Sequence, residues 1–370
     1  VRYLIYSKFR AFCVLYHEYP KSVIHSKAKE NQWRLNLGSL PPVDEFTAIL
    51  ISALEVNFPT LYLEDFDTYM GKVISGIKQF PKVIFSSTGW FFNEEFKFFS
   101  AYCMEKGSKL AGFQHGGLYG TAKWMPVEEH EIEITDRFFS WGWTKKNQPK
   151  VRPLANPKIS YLYYKGKNIR RMQNQQLLFV GNAHPRYLYR FFSVPVAEMY
   201  DEYLDWRNIF LRELAASIRD RILIRLYPTE YGREESAYIK REFNGMKFDN
   251  HNLSLLKQLE KSKIVIIDHP VTTMLEALSR NVPTILYWNP NSWELRMEAE
   301  GFFEELHDAQ IWHKEPISAA KFLNEVEVEP LEWWNDKKTQ QAREKFIIEF
   351  ALADDKWAQK WWNEIKEIIN

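Results

Sequence analysis

Two stretches of this chain concentrate residues able to do chemistry. One is KSKIVIIDHPVTTMLEALSRNVPTILYWNP, Lys261 to Pro290, in which an all-apolar run ends in Asp268-His269-Pro270 and is followed at once by Thr272 and Thr273. The spacing predicts a strand, a short loop and a helix that starts at the threonines. The first N–H groups of a helix have no internal partners, and with the helix dipole they attract phosphate; two hydroxyls add donors at the same place. Glu276, one turn deeper, is set to accept hydrogen bonds from ribose hydroxyls. Asp268, beside the phosphate position, is set to orient His269. The same residues also fit a purely structural N-cap, with Glu276 as its capping-box carboxylate.

The second stretch is GFQHGGLYG, Gly112 to Gly120. Glycines after a strand let backbone approach a ligand closely, and a histidine held there can take up a proton at neutral pH. His115 is therefore the candidate general base or transition-state stabiliser, with Gln114, Gly116, Gly117 and Tyr119 lining the acceptor side of a cleft. A histidine satisfied by nearby backbone is the structural alternative. The loop is neither a Walker loop nor a dinucleotide fingerprint, since no G-K-[ST] and no G-x-G-x-x-G is present.

Three further strand ends point to the same place, because ligands of open α/β sheets sit beyond the C-terminal ends of the strands. RILIRLYPTEYG carries Arg225, a permanent cation suited to phosphate or, alternatively, to an interior carboxylate. GNAHPRYLYR offers Gly181 and Asn182 for a tight turn, and His184 and Arg186 for donor or acceptor; His184 fits a surface loop equally well. Asn289 and Asn291, after PTILYW, fall near a nucleobase in this geometry.

The elements that must position these residues alternate between short apolar runs and longer amphipathic ones, the pattern of parallel sheets covered by helices. In the first half KVIFSS, KLAGF and DRFFSWGW read as strands, and NEEFKFFSAYCMEKG as a helix ending at Gly107. KKNQPKVRPLANPK, with Pro149, Pro153 and Pro157, cannot be the middle of a regular element. The alternation restarts at QQLLFVG. These patterns predict a first Rossmann-like acceptor domain over residues 1–160, a second, nucleotide-binding one over 161–335, and a helical tail over 336–370 that packs back on the first. The tail tryptophans, Trp357, Trp361 and Trp362 among them, have helical spacing and read as packing residues.

The bulk properties narrow the function. At 370 residues, 45% hydrophobic, the chain can bury more than one core. With 49 basic and 48 acidic side chains the net charge is +1, so no global field selects nucleic acid. Two cysteines, Cys13 and Cys103, fit a reducing compartment and make no framework or cysteine-based zinc site. The N-terminal apolar stretch is interrupted by Arg2, Lys8 and Arg10, unlike a signal peptide, and no run approaches the roughly 20 apolar residues of a membrane span.

Taken together, D-x-P-x-T-T-x-x-E-A followed by x-P-T resembles the donor half of GT-B glycosyltransferases, which have two Rossmann-like domains facing a cleft. QHGGLYG followed by Trp141-Gly142-Trp143 is similar to a family of surface-carbohydrate and O-antigen transferases related to β-Kdo and capsule-synthesis transferases. The likeness runs from about Leu61 to the end. It implies a CMP-sugar donor such as CMP-Kdo, a glycan or lipid-linked glycan acceptor, no required metal, and cytoplasmic work with at most peripheral membrane association. Tyr227-Pro228 stands where related enzymes often carry His-Pro, a departure at the donor site. Retaining relatives use a carboxylate nucleophile, for which Glu94 is one candidate, although acidic residues in a first helical turn are also dipole partners; Asp268 is the other. A CDP-polyol phosphotransferase of the teichoic-acid type and a non-catalytic glycan-binding assembly subunit are the alternatives.

Overall fold

The computed structural model describes residues 32–166, 176–187 and 197–369. The N-terminal apolar stretch and Cys13 lie outside them. The chain divides into two compact units. Within the described residues, one comprises 32–80 with 95–102, and the other comprises 81–94 with 103–369.

The first unit is helical. Its helices Gln32–Gly38, Glu45–Asn57 and Phe66–Ser75 are organised by a buried cation. Arg34 pairs with Glu64 at 2.6 Å and donates to the carbonyls of Glu55 and Phe58. Around Phe98 gather the rings of Tyr62, Phe66 and Tyr69.

The second unit holds two all-parallel sheets. In the first, β1 (Val83–Ser86), β2 (Lys109–Phe113), β3 (Arg137–Ser140) and β4 (Val151–Pro153) lie side by side in chain order. β4 is a correction to the reading of the proline-rich segment as irregular: Val151, Arg152 and Pro153 pair with Phe138 to Ser140. Proline is tolerated there because β4 is the sheet's edge and short.

The second sheet contains β5 (Gln176–Val180), β6 (Ile222–Arg225), β7 (Lys247–Phe248), β8 (Ser262–Ile267), β9 (Thr284–Tyr287) and β10 (Trp312–His313). Its spatial order is β7-β6-β5-β8-β9-β10, the doubly wound Rossmann order. The direction of winding reverses between β5 and β8, which pair from Leu177↔Ile264 to Val180↔Ile267. β9 is buried along its whole length and β8 at every position but Lys263, as expected of central strands covered on both faces.

The tail does two jobs. The helix Lys337–Phe350 buries Phe346 and Phe350 against Phe302 and Phe303. In the helix Trp357–Ile369, Trp361 packs edge-on to Phe113 and against Phe139, and its indole N–H donates to the carbonyl of Ala155. The fold is thus α/β with two Rossmann-like sheets, and its last helix returns to the first sheet, as expected. Among the described residues no helix is long and apolar enough to cross a membrane.

Candidate active site

At the switch point of the second sheet, the loops after β5 and β8 share one buried polar network. Asp268 accepts from Arg207 Nε at 3.2 Å and is bonded to His269 Nδ1 at 2.8 Å. Arg207 also pairs with Glu235 at 2.8 Å and donates to the Tyr203 hydroxyl. That hydroxyl accepts from the Asn182 N–H, and the Asn182 amide meets His184 Nε2 at 3.1 Å. Only 1–2% of Arg207, Asp268 and His269 is exposed, so each charge must be met inside the protein. Burial works against a charged Asp268, but the guanidinium of Arg207 and the contact with His269 outweigh it and hold the carboxyl below its ordinary range. A side chain at Gly181 would press on Leu226 and the Arg207 guanidinium at 3.1–3.2 Å.

The helix Thr272–Ser279 starts just beyond. Its N-cap is Val271, and no side chain caps it, which overturns the capping-box alternative: Thr272 and Thr273 are its first two helical residues. Glu276 is buried and ion-paired with Lys158. The helix start is met by the glycine loop. A carbon added at Gly117 would lie 2.5 Å from both the Thr272 nitrogen and the Val271 carbonyl carbon, so backbone packs on backbone there and only glycine fits.

That loop is anchored on both sides. Gln114 is buried; its amide oxygen accepts from the Trp141 N–H and the Trp143 indole at 2.8 Å, and its amide nitrogen donates to the Gly116 carbonyl. Gly120 has φ +74°, and a side chain there would strike the Trp143 ring. From the second sheet, Arg296 reaches across to Glu128 at 2.8 Å and to the Ala122 carbonyl, while Lys123 N–H donates to the Glu294 carbonyl.

His115 sits on this loop, partly exposed, with Nδ1 turned inward to the Tyr119 hydroxyl at 2.9 Å. The same hydroxyl lies 2.8 Å from Glu131 Oε2, and the Trp90 indole donates to Glu131 Oε1 at 3.2 Å. Burial pushes the Glu131 carboxyl up to about 8, against the hydrogen bonds from Tyr119 and Trp90. Glu128, one turn earlier, is also raised by burial, opposed by Arg296.

The remaining candidates stand apart. Arg225 is engaged by Asp249 and the Leu253 carbonyl, the interior-carboxylate alternative. Tyr227 is exposed and stacks on Tyr231. Glu94 opens the helix Glu94–Glu105. Asn289 bonds Glu202 and, with Asp268, lines a small cavity into which Trp293 and Tyr203 also face. Among the described residues the Tyr287 hydroxyl and the Trp288 and Trp293 indole nitrogens there have no hydrogen-bond partner, although each side chain is buried. A wide, open pocket of about 840 Å³ lies at the other end of the Thr272 helix, around Arg280, Tyr161 and Trp357, away from both histidine networks.

Sequence reasoning missed Arg207, Glu235, Glu128, Arg296 and Glu131. A signal existed for two of them. In the helix Pro126–Ile134, Glu128 and Glu131 share the buried stripe of Val127 and Ile132, although a run of glutamates reads at first sight as a solvated face.

A family model described as "LIC12162 family transferase" matches residues 3–365, so the chain belongs to that family. No curated protein matches the sequence. Among solved structures, the chain is similar to a protein described as a UDP-N-acetylglucosamine 2-epimerase from Listeria monocytogenes, with 14% identity, TM-score 0.49, and 84% of this chain and 80% of that one covered. It is similar to the wall teichoic acid polymerase TagF with 10% identity, TM-score 0.41, and 84% and 95% covered. The corresponding values for WaaG, a glycosyltransferase of lipopolysaccharide biosynthesis, are 10%, 0.37, 90% and 85%.

Proposed function

We propose that this member of a transferase family is a GT-B glycosyltransferase, with a nucleotide-sugar donor at the switch point of the second sheet and an acceptor beside the His115 loop. The observation that carries the reading is the meeting of Gly116–Gly117 with the uncapped start of the Thr272 helix. Backbone from both sheets comes together there without an intervening side chain, between His115 on one side and the Asp268–His269 network on the other. Helix start, threonine hydroxyls and glycine backbone suit the phosphate of the donor, and the unpartnered donors near Asn289 suit its polar ring edges.

In this reading His115 takes the acceptor's hydroxyl proton through Nε2. Arg207 and Asp268 hold His269 and the loop in place, and the leaving phosphate's charge is stabilised at the helix start. The donor we propose is a CMP-activated ulosonic acid such as Kdo, and the acceptor a bacterial surface glycan or its lipid-linked precursor. The support for this choice is the resemblance of QHGGLYG and Trp141-Gly142-Trp143 to the β-Kdo and capsule transferases. No metal is needed in this scheme.

The test is product analysis. Incubation with CMP-Kdo and a lipopolysaccharide-core or capsule acceptor is expected to release CMP and lengthen the glycan by one residue. Consumption of CDP-glycerol with formation of a phosphodiester, and none of CMP-Kdo, would replace this reading with polyol-phosphate transfer.

A further inference from the structure

The proposed function asks His115 to act as a base but does not say what sets its proton. The ring touches the buried Tyr119 hydroxyl through Nδ1, and that hydroxyl touches Glu131. Glu131 in turn receives the Trp90 indole N–H on its other oxygen. An indole nitrogen only donates, so Oε1 of Glu131 is committed as an acceptor. Any proton on Glu131 must therefore sit on Oε2 and point at Tyr119.

The consequence is a two-state chain. With Glu131 protonated, Oε2–H donates to the Tyr119 oxygen, and Tyr119 O–H donates to His115 Nδ1. The neutral imidazole then carries its hydrogen on Nε2, where it cannot accept a proton from an acceptor. With Glu131 ionised, Tyr119 O–H turns to the carboxylate. The Tyr119 oxygen can then accept from Nδ1–H, and in this open state Nε2 carries a lone pair in place of its hydrogen.

We infer that Glu131 is a positioning residue that sets, through Tyr119, which ring nitrogen of His115 carries the proton and hence whether Nε2 can serve as base. This rests on the reading of His115 as the base of a glycosyl transfer. In the open state the step balances. The acceptor oxygen forms the new bond to the anomeric carbon, the bond to phosphate breaks with its electron pair leaving on the nucleotide, and the hydroxyl proton goes to Nε2. The resulting imidazolium keeps Nδ1–H on Tyr119, and the Tyr119 O–H keeps facing the Glu131 carboxylate, so the positive charge is met without further proton movement.

Glu128 disfavours a negative charge on either Tyr119 or Glu131, and it is itself offset by Arg296 and Lys145. His115 Nδ1 itself lies 3.9 Å from Glu131 Oε1, and among the described residues no lysine or arginine pairs with Glu131. Burial lifts its carboxyl to about 8, within reach of the working range where a switch of this kind is useful.

Glu131→Gln is the decisive variant. With the amide oxygen held by Trp90, its NH2 group must donate to Tyr119, which fixes the closed arrangement at every pH. The experiment follows the ring nitrogens of His115 by ¹⁵N NMR in imidazole-labelled protein, assigned with His115→Asn, together with transfer rates, in wild type, Glu131→Gln, Tyr119→Phe and the double variant. Wild type is expected to move from Nε2–H to Nδ1–H as pH rises through about 8, whereas Glu131→Gln stays in the Nε2–H form. The transfer rate of Glu131→Gln should fall about 100-fold, the scale of lost general-base catalysis. Adding Glu131→Gln to Tyr119→Phe should cost little more, since the chain is already cut.

The inference is overturned if wild type and Glu131→Gln show the same tautomer at pH 9, or if the two substitutions act additively. Absence of sugar transfer by wild type would count against the glycosyltransferase reading alone, because the ring nitrogens still report on the chain.

Discussion

Asp268 and Glu131 are both buried carboxylates next to a histidine, and their proton affinities are shifted in opposite directions. Asp268 is kept ionised, below its ordinary range, while Glu131 is pushed up to about 8. Burial acts the same way on both; what differs is that the Arg207 guanidinium lies 3.2 Å from Asp268, whereas Glu131 is bonded to a phenol and an indole, with the His115 ring 3.9 Å away. A permanent cation within reach turns burial into a fixed ion network, and its absence leaves a group that titrates in the working range. The first arrangement suits a scaffold that orients His269. The second suits a proton switch behind His115.

The largest effect should come from removing the cation. Arg207→Met leaves Asp268 and Glu235 buried without their partner and is expected to cost about 3–5 kcal/mol, measured by urea unfolding. A loss near zero would mean that the network is not what separates the two carboxylates. Next, Gly117→Ala forces a carbon against the Val271–Thr272 backbone and should cost about 1–3 kcal/mol while weakening nucleotide binding.

A smaller, pH-confined effect belongs to Glu131. Its carboxyl titrates near 4.5 when unfolded and near 8 when folded, so the folded state holds a proton that the unfolded state has released. This contribution is complete below pH 4.5 and is lost as pH rises through 8. Thermal melts of wild type against Glu131→Gln across that window should show a steeper decline for wild type; parallel curves would contradict it. The smallest effect is expected for Lys123→Ala, whose ion pair with Glu294 is exposed on both sides. Its melting temperature should equal that of wild type, a control showing that contact between the loops alone does not carry the comparison.

Much of this was legible before folding. Unbroken apolar runs such as IVII, Ile264 to Ile267, revealed the buried strands β5, β8 and β9, and the restart of the alternation at QQLLFVG revealed a second sheet. His115, Asp268, His269 and the threonines were legible because each stands at a strand end or helix start, where sequence pattern is strong. β4 was hidden because three residues, two of them Arg152 and Pro153, give no period to read. Arg207 and Glu131 were hidden for a different reason. Their chemistry comes from partners 61 and, for Trp90, 41 positions away in the chain, and a charged residue on a helix shows its partner only once the stripe it occupies is buried.

In the proposed function a nucleotide-sugar donor binds where the glycine loop meets the Thr272 helix. The most direct measurement is a thermal-shift titration of the full chain with CMP, CDP, UDP and GDP, repeated on Thr272→Ala/Thr273→Ala. Cytidine nucleotide should raise the melting temperature of wild type in a concentration-dependent way, and the shift should vanish in the variant. A wild type indifferent to every nucleotide, or a variant stabilised as much as wild type, would contradict the account.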